Sequence, residues 1–322
     1  MQEIKVTANE AGQRLDKLLG KFLNQAPKSF IYKMLRKKNI VLNDKKAEGT
    51  EKLVVGDSVK LYLADETIEK FSKIEIVETK QNLDILYQDE HIIVVNKPVG
   101  MLSQKAEAQD ESLVEHIISY MLHTNQITPE ELRKFRPSVC NRLDRNTSGI
   151  VVAGKSLIGL QTMGAMFKER SLKKYYRCLV SGKVTGPEYI KGYLIKDEET
   201  NKVTITEKEK EGSLPIETEY RAVWTNGDCT LLEVHLITGR THQIRAHLAS
   251  IGHPIIGDYK YGNRKINDIY KKNYGLQSQL LHAYRLELPT FDGDFSNLSK
   301  KQFVAMLPKM FANIVKIEEN KG

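Results

Sequence analysis

The stretch NRLDRNTSG, residues 141 to 149, places one carboxylate, Asp144, between Arg142 and Arg145 and closes on Thr147, Ser148 and Gly149. Local grammar allows a plain turn here: Asp and Asn start helices, Thr-Ser-Gly bends tightly, and GIVVAG (149 to 154) then reads as a short apolar strand. The same letters also describe a carboxylate set among guanidinium groups, able to attack or orient a substrate. A second dense segment, LITGRTHQIRAHLASIGHPIIGDYKYG (236 to 262), gathers Arg240, His242, Gln243, Arg245, His247 and His253 around apolar residues. Buried polar groups need partners, so such a concentration implies a network or a site. Metal binding is disfavoured by spacing. His242 and His247 are five apart rather than four, no Glu follows the first, and no Cys lies nearby. A GxSxG nucleophile elbow is absent, which argues against a serine hydrolase of that type.

The 322 residues suffice for two domains, and 28% charged with 40% apolar residues mark an ordinary globular chain. No apolar run is long enough to span a membrane, and MQEIKVTANEAG lacks the basic-then-apolar pattern of a signal peptide, so a cytoplasmic location is expected. Cys140, Cys178 and Cys229 are odd in number and widely spaced, which suggests small buried thiols rather than disulfides or zinc ligands. The net charge is +8, and residues 1 to 63 hold 13 Lys and Arg against 7 Asp and Glu, so +6 sits at the N-terminus and +2 on the rest. A basic module on a nearly neutral body points to a polyanion partner, with a solvated charged surface as the plain alternative.

Several elements must position these residues. RLDKLLGKFLN (14 to 24) has Leu15, Leu18, Leu19 and Phe22 on one helical face, and a second helix is predicted from Ser29, its cap, to Lys37, with Phe30, Ile31, Met34 and Leu35 inward. Short strands follow to Leu63, so 1 to 63 reads as one compact unit. The charged stretch 64 to 82 reads as a linker with room for one strand. A second domain, 83 to 322, opens with a strand, a turn at 88 to 90 and the buried strand HIIVVNK, followed by helices at 112 to 122 and 157 to 170. KYYRCLVSG (174 to 182) alternates, with Tyr176, Cys178 and Val180 on one face. Thr241 is expected to cap a helix burying Ile244, Leu248 and Ile251 and stopped by Gly252, with Arg245 at the margin of the core.

In this order, NRLDRNTSGIVVAGKS, KYYRCLVSG, TGRTHQIRAHLASIGHPIIGDYKYG and LLHAYRLELP resemble the RluA family of RNA pseudouridine synthases over residues 83 to about 290. RLDKLL and VVGDSVKLYL in the first unit resemble the small RNA-binding domain named after ribosomal protein S-four, departing from it at Asn39, where glycine is usual. The resemblance implies an α+β catalytic domain on a mixed, largely antiparallel sheet, preceded by a small RNA-binding α+β domain. It implies isomerisation of specific uridines to pseudouridine in RNA, large-subunit ribosomal RNA in particular, with no cofactor, no metal and no obligatory protein partner. By position it makes Asp144 the catalytic acid, sets Tyr176 against the uracil ring, and pairs Arg245 with the acid. Arg142, Arg145, Thr147, Arg240, His242 and Gln243 would meet the substrate. Lys28, Lys33, Arg36, Lys37 and Lys38 would form the basic face of the first domain. Asn141 and Ser103 stand where the family often has histidine. A noncatalytic RNA-binding or ribosome-assembly factor on the same scaffold is the competing reading.

Overall fold

The computed structural model describes residues 1–73, 76, 78–79, 82–107 and 109–321. Its first unit comprises β1 (Gln2–Lys5), α1 (Leu15–Phe22), α2 (Lys28–Arg36), β2 (Ile40–Leu42), β3 (Lys45–Lys46), β4 (Ser58–Leu61) and α3 (Asp65–Phe71). The strands pair in the order β1-β4-β2-β3, all antiparallel. Leu15, Leu18, Leu19 and Phe22 of α1 and Ile31, Met34 and Leu35 of α2 fill one core with Ile40, Val59 and Leu61 of the sheet, as the helical spacing requires. Two local expectations differ. α2 starts one residue earlier, capped by the extended backbone of Pro27 rather than by Ser29, because the fixed proline φ already suits a helix entry. Residues 65 to 71, part of the expected linker, form α3: Ile68 enters the same core and the Phe71 ring packs on Phe30 at 4.7 Å. One apolar turn sufficed because tertiary burial, not an extended amphipathic face, holds it. Within the rest of the expected linker, which had room for one strand, residues 74, 75, 77, 80 and 81 lie outside the described residues.

The second unit runs β5 (Ile85–Gln88), β6 (Ile92–Lys97), α4 (Leu113–His123), α5 (Pro129–Leu132), β7 (Ser138–Val139), β8 (Ser148–Gly154), α6 (Leu157–Glu169), β9 (Lys173–Ser181), β10 (Glu188–Asp197), β11 (Lys202–Thr206), β12 (Leu214–Thr225) and β13 (Cys229–Leu236). It ends with α7 (Gln243–Ser250), α8 (Arg264–Tyr274), β14 (Leu281–Glu287), a 3₁₀ turn (Gly293–Leu298), β15 (Gln302–Val304) and α9 (Lys309–Glu319). Among the described residues the strands form an eleven-stranded mixed sheet, ordered β11-β10-β12-β13-β9-β14-β8-β6-β5, with β15 on β14 and β7 on β8. Only the β14–β8 pair is parallel. β6 and β8 read as unbroken apolar runs because both faces are covered. Ile93, Val95, Val151 and Ala153 face a core with α4, while Ile92, Val94, Ile150 and Val152 face a second core with Met163 of α6, Phe295 and Phe303. A third cluster joins Leu179 and Leu231 to α8 and α9.

The β14–β8 junction needs Gly149. Its φ is +112°, and a Cβ there would fall 2.2 Å from the Ala283 carbonyl oxygen, so only glycine lets the two backbones approach. The run GIVVAGKS (149 to 156) also has the letter spacing of a phosphate-binding loop, GxxxxGKS. It cannot act as one, since 148 to 154 are extended and paired to β6, and Ser156 caps α6 instead.

Candidate active site

Asp144 sits in the loop between β7 and β8, and that loop is pinned from below. The Lys97 amine, fully buried at the end of β6, donates to the carbonyls of Pro98 (3.0 Å), Met101 (2.8 Å) and Arg145 (3.2 Å). Burial lowers its pKa to about 7, with the Asp144 charge opposing. Three acceptors call for three N–H donors, which only the ammonium form has, so this geometry belongs to the charged amine. The Ser103 hydroxyl donates to the Leu143 carbonyl and accepts from the Leu143 N–H, both at 2.9 Å. Asn141 donates to the Ile150 carbonyl and accepts from the Val152 N–H. The two departures from the family pattern therefore brace the backbone on either side of the acid.

The partner of Asp144 comes from α7, 101 residues away. Arg245 Nη1 donates to Asp144 Oδ2 at 2.8 Å. Its other edge forks onto Asp258, Nε to Oδ2 at 2.7 Å and Nη2 to Oδ1 at 3.0 Å. Arg245 is buried, not marginal as its position beside the apolar face suggested, because Asp258 compensates the charge inside. Burial opposes the Arg245 charge, and the hydrogen bonds and charge of Asp258, then those of Asp144, outweigh it and hold the guanidinium pKa above its ordinary value. Asp258 is itself fixed by the N–H groups of Lys260 (2.9 Å) and Tyr261 (3.1 Å).

α7 begins at Gln243, entered through His242 in a left-handed conformation (φ 53°), so Thr241 is not its cap. It ends at Ser250, which leaves Ile251 past the last turn and exposed rather than buried. All six residues from Gln243 to Leu248 are buried, so this part of the helix is wrapped on every side and only its last residues reach solvent. His242 Nδ1 contacts the Tyr261 hydroxyl at 2.9 Å, and Nε2 lies 3.7 Å from Asp144. Burial lowers the His242 pKa, against the Asp144 charge, which favours the neutral ring. Gln243 accepts from Thr238 and the Arg240 N–H and donates to Glu217 and Thr218. Its hydrogen-bonding capacity is spent inside the protein, so it braces the 238–240 turn and has nothing left for a substrate. Thr147 is likewise buried and holds the turn through its N–H to the Asp144 carbonyl.

These residues converge on one groove of about 1260 Å³, with Asp144, Tyr176 and Arg245 among its walls. Tyr176 is buried on β9, and burial, then the Asp144 charge, pushes its phenol pKa well up, so the ring enters as a neutral surface. Arg142 and Arg145 are exposed on the rim and make no ion pair with Asp144, so its sequence neighbours are not its partners. Among the described lining residues Asp144 is the one acid. The same lining carries Arg142, Arg145, Lys168, Arg170, Lys174, Arg240, Arg245, Lys105 and Lys196. Lys28, Lys33, Arg36, Lys37 and Lys38 lie exposed on α2 and its end, outside this groove. Among the described residues no cluster of three His, Cys, Asp or Glu side chains could hold a metal ion, and no helix is long and apolar enough to cross a membrane. Asp258, Lys97 and Tyr261 are the site residues that sequence reasoning missed. The GDYKYG run carries Asp258 and Tyr261, but nothing local says which way its acid turns.

Residues 91–250 match the sequence profile of the RNA pseudouridylate synthase family. The chain is 31% identical over 299 residues to ribosomal large subunit pseudouridine synthase C of Vibrio cholerae, covering 89% of this chain and 88% of the relative. It is 32% identical over 295 residues to the protein of the same name from Escherichia coli (strain K12), covering 88% and 87%. Among solved structures, human RNA pseudouridylate synthase domain containing 4 superposes with a TM-score of 0.57 at 23% identity, over 72% of this chain and 91% of that one, and so shares the fold. The sequence relatives span nearly the whole chain, and with the profile match they establish that it belongs to the RluA-type family of RNA pseudouridine synthases.

Proposed function

We propose that this synthase modifies uridines of large-subunit ribosomal RNA in the cytoplasm, with Asp144 performing the chemistry. The target RNA follows from the names of its relatives. The observation that carries the chemical role is that a single carboxylate, aimed by Arg245 at 2.8 Å, stands in a groove whose other charged lining residues are cations. Pseudouridine formation breaks the bond between ribose C1′ and uracil N1, turns the base, and rejoins it through C5, with no net redox change and nothing transferred from outside. One carboxylate acting as nucleophile at C1′ or as base at C2′ suffices to release the base, and the proton on C5 leaves once the new bond has formed. The target base leaves its stack at a cost of a few kcal/mol, offset by packing on Tyr176 and by polar contacts in the pocket. Arg245 holds the acid in place, and Arg142 and Arg145 are free for backbone phosphates.

The first unit serves as a second RNA grip: it carries +6 of the net charge, and Lys28, Lys33, Arg36, Lys37 and Lys38 share an exposed face. The decisive test is Asp144→Asn. It should abolish pseudouridine formation in ribosomal RNA while leaving RNA affinity close to wild type, since phosphate contacts supply most of it. Turnover near the wild-type rate would overturn the role given to Asp144.

A further inference from the structure

Three of the cations that line the groove stand without an acidic partner. Lys174 precedes Tyr176 by two residues on β9, so the two side chains share a face, roughly 7 Å apart along the strand. Its amine lies against the Gly239 backbone, where a Cβ would come within 3.3 Å of Nζ. Arg240 follows directly, and its Nε is buried without a hydrogen-bond partner. Arg170 closes α6 in a left-handed conformation (φ 62°) and lines the same groove. Among the described residues none of these three side chains takes part in an ion pair or a hydrogen bond. Burial lowers the Lys174 pKa to about 8, and repulsion from the Arg170 guanidinium contributes. The one acid of the groove already has Arg245.

Crowded, partly dehydrated cations gain most from an anion that brings several acceptor oxygens at once, and a phosphodiester does this. We infer that Arg170, Lys174 and Arg240 form a phosphate subsite holding one internucleotide linkage next to the target uridine. This rests on reading the groove as the RNA site. Its work is register: clamping the backbone beside Tyr176 decides which nucleotide lies over Asp144, because phosphate contacts position a strand without reading its bases. A bound phosphate also returns the Lys174 amine toward its usual range, so RNA binding takes up a proton and weakens as pH rises through about 8 to 9.

The test measures binding to a uridine-containing single-stranded RNA oligonucleotide, using the full chain with Asp144→Asn so that the RNA stays unconverted. Lys174→Met is compared with Lys174 against salt and pH, then with oligonucleotides carrying a neutral methylphosphonate at one linkage at a time. Removing the amine should cost about tenfold in affinity, the size of one charge-assisted hydrogen bond. It should also lower the salt slope by about 0.7 and remove the loss of affinity near pH ~8 to 9. At one linkage the methylphosphonate should erase the difference between the two proteins. Arg170→Gln, on an exposed residue, should select the same linkage and keeps the test decisive if Lys174→Met folds poorly. An unchanged salt slope, or an equal loss at every linkage, overturns the subsite. Failure of the chain with Asp144 intact to form pseudouridine in ribosomal RNA would instead count against the reading of the groove.

Discussion

Asp258→Asn isolates what the buried half of the Arg245 pair contributes. Asp258 Oδ1 accepts three hydrogen bonds, from Arg245 Nη2 and from the N–H groups of Lys260 and Tyr261, whereas Oδ2 accepts one, from Arg245 Nε. The best asparagine rotamer keeps its oxygen at the Oδ1 position. Its amide group then meets the Nε–H, donor against donor, and a buried guanidinium loses one of its two counter-charges. Breaking a buried pair from one side costs about 3–5 kcal/mol, and three retained bonds place this variant near about 3 kcal/mol. For a chain of this size that is a fall of about 4–5 °C in melting temperature. The Arg245 Nη1 contact to Asp144 should loosen with it, lowering the single-turnover rate. Arg245→Met on the Asp258→Asn background removes the stranded charge, so the two losses should fall short of additivity by about 2 kcal/mol. Thermal and urea melting of the four proteins, with single-turnover rates alongside, make the measurement. Asp258→Asn melting within about 0.5 kcal/mol of wild type, or strictly additive losses, would show that the Arg245 charge does not depend on Asp258.

Two histidines govern the acid limb of stability. Burial lowers the pKa of His247 and of His282 to about 4, from an ordinary 6.5. Between those values the unfolded chain binds more protons, so stability is full above pH ~6.5 and is lost as pH falls toward 4, by about 2 kcal/mol per histidine at pH ~5. Urea midpoints independent of pH over that window would show that the rings are not buried neutral. Gly149→Ala should destabilise by more than about 3 kcal/mol, since it combines a positive φ with a Cβ set against the Ala283 carbonyl, and an unchanged melting curve would disprove the β8–β14 contact. Replacing Lys33, Arg36 and Lys37 together by Gln should weaken RNA binding across sequences and lower the salt slope by about 0.7–0.9 for each phosphate no longer neutralised, and a slope equal to wild type would exclude α2 from the RNA interface.

Patterns that repeat at short range are legible in the chain alone. The period-two run around Tyr176, the apolar runs of β6 and β8 and the spacing of α1 and α2 each declare a buried face, because the backbone geometry of strand and helix converts spacing directly into side-chain direction. The ordered motifs also singled out Asp144, Tyr176 and Arg245, and all three line one groove. Tertiary structure decided the partners. Whether Arg245 lies at a margin or in the interior depends on Asp258, 13 residues on, whose carboxylate is turned inward by the 257–262 loop. Gln243 turned out to be a brace, Ile251 fell beyond the end of α7, and α3 formed where the charge pattern suggested a linker. Lys97 and Ser103 support the acid through contacts 48 and 40 residues apart in sequence. None of these follows from local spacing, since each is settled by where a distant chain segment places an acceptor, a counter-charge or an apolar wall, and that placement exists only after the sheet has closed.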